Sequence, residues 1–435
     1  MMPPAPAPGC APASAPASAP GAAPAPRRVA ITGLGVLSPL GNSAAAAFDR
    51  AVAGHSAIRL LDTGWAADLH APLAGCVDFQ ADRHFDPPRA RMLDRVSQFA
   101  LVAARQALAD ARLQLRDEDR VRAGIFMGSG MGGSTTTDEG YHLLYAEQAG
   151  RVKPFSVLMS MSNAPAAWIG IELAVSGPAL TYCTACSSSA VALGEAWLRI
   201  RQGQLDLAIA GGAEAPLCFG VMKAWEALHA LASVDPDDAA RSCKPFARDR
   251  SGLVLAEGAA ILILEEWSHA VARGAAIHGE LLGYGLATDA NHMTRPSVAG
   301  QAAAMRAALD AAGCEPSAIG AINAHGTGTA ANDGVETAAI KQVFAQQAYR
   351  MPVSATKAIH GHLLGASPAL ELALALLALR RAILLPTMHL LEPDEACDLD
   401  YVPNRARQDA SVTTVMSNSF AFGGTNAVLI ARTAR

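Results

Sequence analysis

Ala179-Leu-Thr-Tyr-Cys183-Thr-Ala-Cys186-Ser-Ser-Ser-Ala-Val-Ala-Leu-Gly-Glu-Ala196 is the stretch from which the rest of the chain is read. A short apolar run ends in Thr184-Ala185-Cys186, three serines follow, and Val191, Leu193, Trp197, Leu198 and Ile200 recur at helical spacing. That pattern predicts a strand, a turn and a helix with little polar surface, with Cys186 on the turn. The first N–H groups of a helix are unpaired and partly positive, so they favour thiolate over thiol. A free thiol titrates near 8.5, and such surroundings lower it to about 3.5–7.5, which makes Cys186 a candidate nucleophile. Other readings exist: an inert buried cysteine, or Cys183-x-x-Cys186 as a redox pair or half a zinc site. No second C-x-x-C or clustered histidine partner accompanies the pair, which sits mid-chain rather than in a small βαβ unit. No metal site is expected.

Upstream, Arg27-Arg-Val-Ala-Ile-Thr-Gly33-Leu-Gly35-Val-Leu-Ser38-Pro39-Leu-Gly41-Asn reads as a buried strand entering a Gly/Pro turn. G-x-G after a strand invites a dinucleotide-binding reading, but the next glycine is missing at the required spacing, where Ser38 stands. A helix over Val96–Leu113 and strands over Ala123–Met127, from Asp206 and over Leu253–Glu265 follow; Ser233–Arg250 reads as a mobile segment. This is the rhythm of a parallel sheet with crossover helices. A second series repeats it: strands over Glu280–Leu286, Ala321–Ala324, Val353–Thr356, Val412–Met416 and Ala427–Ile430, with helices over Gln301–Ala312 and Pro368–Arg381. Each series has a strand running into Gly-Gly, at Gly211-Gly212 and Gly423-Gly424. One globular unit of two similar α/β halves is expected, residues 27–273 and 274–435. Met1 to Pro26, almost entirely Ala, Pro, Ser and Gly, has nothing to bury and is expected to be disordered or polyproline-like.

Composition narrows the function classes. A hydrophobic fraction of 51% against 17% charged, in 435 residues, indicates a large core. The net charge of −5 gives no reason to expect a nucleic-acid partner. Eight irregularly spaced cysteines with no secretory signal point to a reducing compartment. The apolar run Leu370–Leu379 is shorter than the roughly 20 residues that span a bilayer. A cytoplasmic protein without a membrane association is expected.

Three second-half segments combine reactive groups with small neighbours. Asn323-Ala-His325-Gly-Thr-Gly-Thr329 puts a histidine at a strand end, where open α/β sheets meet ligands. Ser354-Ala-Thr-Lys357-Ala-Ile-His360-Gly-His362 puts a lysine and two histidines on a strand-to-turn segment, and Ser417-Asn-Ser-Phe-Ala-Phe422-Gly-Gly-Thr-Asn426 is a turn whose N–H groups can face an anion. His325 and His362 stand out with a glycine beside each; His360 and His55 do not share a comparable strand-end setting with hydroxyl-rich flanks. Glu371 is the only charge between Ala366 and Leu379. Buried there it needs a partner, and Lys357 is the natural one; the alternative is a solvent-facing stripe.

These motifs, in this order, resemble the β-ketoacyl-acyl-carrier-protein synthases, and more closely their type II elongating branch. The likeness rests on Arg-Arg-Val-Ala-Ile-Thr-Gly-Leu-Gly, Thr-Ala-Cys186-Ser-Ser, Ala-His325-Gly-Thr-Gly-Thr, Lys357-x-x-x-Gly-His362-Leu-x-Gly-Ala and Asn-Ser-Phe-x-Phe422-Gly-Gly-Thr-Asn, and covers Arg27 to Arg435. It implies a thiolase-like αβαβα layered fold of two duplicated halves and a decarboxylative Claisen condensation. Cys186 takes an acyl group from acyl carrier protein, with its own N–H and that of Phe422 as the oxyanion hole. His325 and His362 then stabilise the enolate formed from malonyl thioester, and Lys357, held by Glu371, supplies positive charge. The resemblance further implies an acyl pocket bounded by Phe422 and Met131, carrier-protein docking by Arg91 and Arg151, a homodimer and no cofactor. Ala421 departs from a glycine common in the gating turn, and His229 from an arginine among carrier contacts. Fatty acid and polyketide elongation both remain open. A catalytically silent chain-length partner is the competing reading; such subunits usually lack the nucleophile present here. A degradative thiolase wants a second cysteine where this chain has Phe422-Gly-Gly.

Overall fold

The computed structural model describes residues 26–409 and 411–434; the leader expected to be disordered lies, but for Pro26, outside them. Ten strands form one mixed sheet: β1 (Val29–Leu37), β2 (Ala123–Gly128), β3 (Ala179–Tyr182), β4 (Leu207–Glu214), β5 (Gly258–Glu266), β6 (Gly279–Thr288), β7 (Ala321–Asn323), β8 (Val353–Ser354), β9 (Thr414–Phe420) and β10 (Thr425–Arg432). Their order is β8-β7-β9-β10-β6-β1-β5-β4-β2-β3. Read outward from the centre, the first five strands run β1-β5-β4-β2-β3 and the last five β6-β10-β9-β7-β8, the same order displaced by five. In each set the two innermost pairings are antiparallel and the two outermost parallel. The parallel sheet expected from the alternation of elements is therefore mixed, because β5 and β10 each return beside the first strand of their set. A short antiparallel contact between β1 and β6 joins the sets.

Helices complete five layers. Helix α1 (Arg95–Asp110) packs on β1 and β5 and touches α2 (Ala164–Leu173), forming one outer layer. Helices α5 (Val298–Ala312) and α6 (Asp333–Phe344) form the other, with α5 on β6 and β10. Between the two sets of strands lie α3 (Ser188–Arg201) and α8 (Ser367–Arg381), which touch each other and strands of both sets. A central helix needs apolar surface on every side, and Ser367 to Leu376 is buried throughout. Trp197 on α3 donates its indole N–H to the Leu281 carbonyl on β6 at 2.8 Å, tying the central layer to the second set.

The G-x-G of β1 serves this packing. A Cβ on Gly33 or Gly35 would stand 2.1 and 1.9 Å from the carbonyl oxygens of Ala107 and Ala103 on α1. Gly283 and Gly285 of β6 lie in the same way under Ala308 and Ala304 of α5, at 2.5 and 2.1 Å. A strand approached this closely by a helix backbone admits no side chain, so the paired glycines mark the duplication rather than a phosphate site. The segment Ser233–Arg250 also departs from expectation. Cys243, Phe246 and Ala247 are buried, Lys244 pairs with Asp235 at 2.8 Å, and the Phe246 N–H donates to Asp333 at 2.8 Å. Its polar composition concealed these long-range partners.

Candidate active site

Strand β3 delivers the chain to Cys186 through a strained corner. Ala185 has a left-handed φ of +50°, a single 3-10 turn spans Ala185–Ser187, and α3 starts at Ser188. A left-handed alanine costs about 1–3 kcal/mol and persists only where its surroundings impose it. The serines impose it: Ser188 Oγ accepts from the Thr184 N–H at 2.9 Å and donates to the Ala185 carbonyl at 2.6 Å, and Ser187 Oγ donates to the Thr184 carbonyl at 2.9 Å. The second half repeats the device. Leu364 has φ +45°, a 3-10 turn spans Leu364–Ala366 and α8 begins at Ser367, with Gly365 where the first half has Cys186.

Burial decides the state of the sulfur. Cys186 is 6% exposed, and desolvation pushes its thiol up to about 12. The charge of Lys357 and the N–H groups of Phe422 and of Cys186 itself oppose this without overcoming it. The expectation of a lowered thiol pKa is thus reversed, because loss of water outweighs the helix start. Only the thiolate reacts with haloacetamides, so alkylation of Cys186 is expected to rise tenfold per pH unit from pH 7 to 10 without levelling off. Peptide mapping after timed iodoacetamide pulses checks this; a plateau at or below pH 8 contradicts it.

His325 follows β7 and is held by its backbone. Its N–H and that of Gly326 donate to the two carboxylate oxygens of Glu336 at 2.8 and 2.9 Å, while the N–H groups of Thr327 and Gly328 donate to Asp333 at 3.2 Å each. Both acids are fully buried in the first turn of α6, and burial pushes the Asp333 carboxyl up to about 6. They orient the histidine loop, a role missed in the sequence, where only Asn332-Asp333-Gly-Val-Glu336, two acids three apart after a glycine-rich turn, signalled it.

His362 donates its backbone N–H to the Val254 carbonyl at 2.7 Å. Its Nδ1 accepts the Leu364 N–H at 3.2 Å and lies 3.0 Å from Ser367 Oγ. A backbone N–H can only donate, so Nδ1 carries no proton and the neutral ring holds it on Nε2. That Nε2–H is buried and has no partner. The rings of His325 and His362 meet edge to face with centroids 5.5 Å apart. One nitrogen of each and the Cys186 sulfur all lie within 4.8 Å of one another. Lys357, 1% exposed, donates to the His325 carbonyl and to Glu371 Oε1 at 2.6 Å each, and Glu371 is fully buried. Burial and the lysine charge hold both imidazoles well below their ordinary pKa; burial lifts the Glu371 carboxyl to about 7 against the pull of Lys357. The three donor atoms are near enough to share an ion, but the same ammonium disfavours a cation there.

These groups open onto a pocket of about 510 Å³ that also holds Thr327, Thr329, Phe420 and Phe422. The Gly423-Gly424 turn takes φ of +84° and +78°, which a larger residue resists. A strap absent from the sequence reading, Asp289 to Ser297, crosses it: Gly423 N–H donates to the Met293 carbonyl at 2.8 Å, and Asn426 donates to Asp289 at 2.7 Å. The Phe422 ring stacks on Trp225 at 5.8 Å, and Ala421 packs on the apolar cluster around Cys186. The remaining candidates stand apart from this pocket. Met131 is 37% exposed and does not line it; Arg91, Arg151 and His229 are exposed; Cys183 is a free, exposed thiol.

Two family models match the chain, the beta-ketoacyl synthase N-terminal domain over residues 26–270 and its C-terminal domain over residues 278–391. A 3-oxoacyl-[acyl-carrier-protein] synthase 2 of Staphylococcus aureus (strain N315) is 40% identical over 407 residues, 93% of this chain and 98% of the relative. Among solved structures, the ishigamide ketosynthase/chain length factor is similar with a TM-score of 0.87 and 36% identity, over 94% of this chain and 100% of that one. AntDE:AntF, a type II polyketide synthase acyl-carrier protein in complex with its ketosynthase bound to the hexaketide, is similar with a TM-score of 0.88 and 31% identity, over 94% and 100%. With both family models matched over most of its length and a relative 40% identical over 93% of it, the chain belongs to the β-ketoacyl synthase family.

Proposed function

We propose that this protein is an acyltransferase that condenses an acyl group, held as a thioester on Cys186, with malonyl-acyl-carrier protein to give a 3-oxoacyl-acyl-carrier protein two carbons longer. The observation that carries this reading is the convergence of the sulfur and two neutral imidazoles within 4.8 Å at a pocket floor. Cys186 attacks the incoming thioester carbonyl, and the oxyanion faces the N–H groups of Cys186 and Phe422. The thiol proton must leave as the carbon–sulfur bond forms. It is taken up by the departing carrier thiolate, so both imidazoles stay neutral, each with one N–H to donate in the second stage. Malonyl thioester then loses CO₂. The electron pair of the broken bond becomes an enolate, whose oxygen receives hydrogen bonds from both histidines, and its carbon attacks the acyl-Cys186 carbonyl. The sulfur is released and takes up a proton. Lys357, anchored by Glu371, supplies a fixed positive charge without touching substrate.

The silent-partner alternative is disfavoured because the nucleophile and both histidines are present and converge. Arg91 and Arg151, exposed and without an ion-pair partner among the described residues, are assigned to docking an acidic carrier. A homodimer is proposed through β3, the outermost strand on its side of the sheet. Leu180 on β3 and Ile171 on α2, which packs against it, are exposed at 38% and 69%, and such an edge is a template for pairing with a second copy; Met131 would then limit the acyl pocket from beside the interface. Residues 27–273 and 274–435 are proposed as the two halves. A cytoplasmic location is supported by the seven described cysteines, all free; no helix among the described residues is long and apolar enough to cross a membrane.

Intact mass spectrometry after incubation with an acyl-carrier thioester is expected to show one acyl group per chain, mapped to Cys186, and addition of malonyl-carrier to convert it to 3-oxoacyl-carrier. Light scattering on the same sample is expected to give twice the chain mass. An unmodified Cys186 contradicts the enzyme reading; a monomer contradicts the β3 pairing.

A further inference from the structure

His360 takes no part in the chemistry above, yet it is wholly buried among the groups that perform it. It ends α7 (Lys357–His360), the four-residue helical turn that presents the lysine, and stands two residues before His362. Its Nδ1 lies 2.6 Å from the Gly361 carbonyl. A carbonyl only accepts, so Nδ1 carries the proton, and Nε2 must accept from the Thr356 hydroxyl 2.9 Å away. The polarity of both bonds is fixed by their partners. Burial and the nearby Lys357 charge drive the ring's pKa down to about 3, so it stays neutral wherever the protein works. The other charged or titratable groups facing it are Glu371, whose Oε1 is 3.9 Å from Nε2, and the neighbouring His362 ring.

One imidazole therefore spans the segment from the residue before Lys357 to the residue before His362. Backbone bonds hold the turn itself: the Ile359 and His360 N–H groups donate to the Thr356 carbonyl at 3.0 and 3.3 Å, and the Gly361 N–H to the Lys357 carbonyl at 3.0 Å. They stop short of the Gly361 carbonyl, which leads into His362; Gly361 has φ +76°, and the His362 N–H is pinned to Val254 on a different segment. The ring is the bond that ties the Gly361 carbonyl back to the lysine turn.

We infer that His360 is a positioning residue for the decarboxylation half-reaction, a neutral strut that fixes the placement of Lys357 relative to His362. The assignment rests on the condensing-enzyme reading. It also separates the two halves of the cycle: acyl transfer depends on the sulfur, the Cys186 and Phe422 N–H groups and the charge of Lys357, which Glu371 and the His325 carbonyl hold with or without the ring, whereas enolate formation also depends on the placement of His362 relative to that lysine. A displacement of about 1 Å in such groups costs up to about 10²-fold in rate.

The test measures both half-reactions on the full chain: acylation of Cys186 by intact mass, and conversion of malonyl-carrier to acetyl-carrier. His360→Ala is expected to lower kcat for decarboxylation about tenfold with KM and the acylation rate unchanged. His360→Asn, whose amide N–H stands near the place of Nδ1–H and can donate to the Gly361 carbonyl, is expected to regain most of that loss. Thermal unfolding of both variants keeps general instability apart from misplacement. Equal losses in both half-reactions tracking a lowered Tm, no rescue by asparagine, or undiminished decarboxylation in His360→Ala would each overturn the assignment. If the wild-type protein neither accepts an acyl group on Cys186 nor decarboxylates malonyl-carrier, the condensing-enzyme reading falls and this assignment with it. A wild type active in both, with His360→Ala indistinguishable from it, sinks the assignment alone.

Discussion

Cys186→Gln is expected to end condensation, lowering it by about 10⁴-fold or more, while malonyl-carrier continues to lose CO₂. Cys186 carries the only thiol among the described residues that line the pocket, so its loss leaves no thioester to carry the growing product. Decarboxylation needs something different: a pocket wall in place of the acyl thioester and two imidazoles facing the malonyl carbonyl. Glutamine is neutral and leaves His325, His362 and the Lys357–Glu371 pair in place. The check is a double measurement on one preparation, 3-oxoacyl-carrier by mass spectrometry and acetyl-carrier formed from malonyl-carrier. Condensation that survives the substitution would remove the nucleophile assignment.

His362→Ala is expected to give the complementary result. Its Nε2–H is the unpartnered buried donor in the site, and removing one such donor to a developing oxyanion costs about 10²–10³ in rate. Decarboxylation should fall by that factor while acylation of Cys186 persists, since the N–H groups of Cys186 and Phe422 and the charge of Lys357 remain beside the sulfur. Folding stability should drop as well: the Leu364 N–H and the Ser367 hydroxyl lose their acceptor in a buried place, a penalty of about 1–3 kcal/mol for an unsatisfied group. A stopped assay of each half-reaction, with thermal unfolding alongside, separates the two effects. Lost acyl transfer with intact decarboxylation would reverse the roles given to the two stages.

The helix that follows the Cys186 turn, the strand end at Asn323 and the three glycine-flanked motifs were legible because local periodicity and small neighbours are written along the chain. So was the Lys357–Glu371 pair, a lone acid in an apolar run with a lone lysine 14 residues before it. His360 was passed over because it lacks the strand-end setting with hydroxyl-rich flanks; its importance lies in hydrogen bonds to Thr356 and Gly361 that the sequence does not display. Asp333 and Glu336 stand in the first turn of α6, a favourable place for any acid beside the positive helix end, and only the fold turns them onto the His325 loop.

What the sequence determined by itself is which reactive groups exist and in what order, together with the alternation of strands and helices that duplicates the fold, because those depend on residue type and spacing within short stretches. Tertiary structure alone decided that burial pushes the Cys186 thiol pKa up, that the G-x-G strands lie bare under helix backbones, and that β5 and β10 turn the sheet mixed. Each of those depends on which distant segments exclude water or touch. The desolvation of one sulfur by a cluster of leucines from three separate segments, Leu69, Leu253 with Leu255, and Leu364, and by Met222 from a fourth, is a property no window of the chain contains.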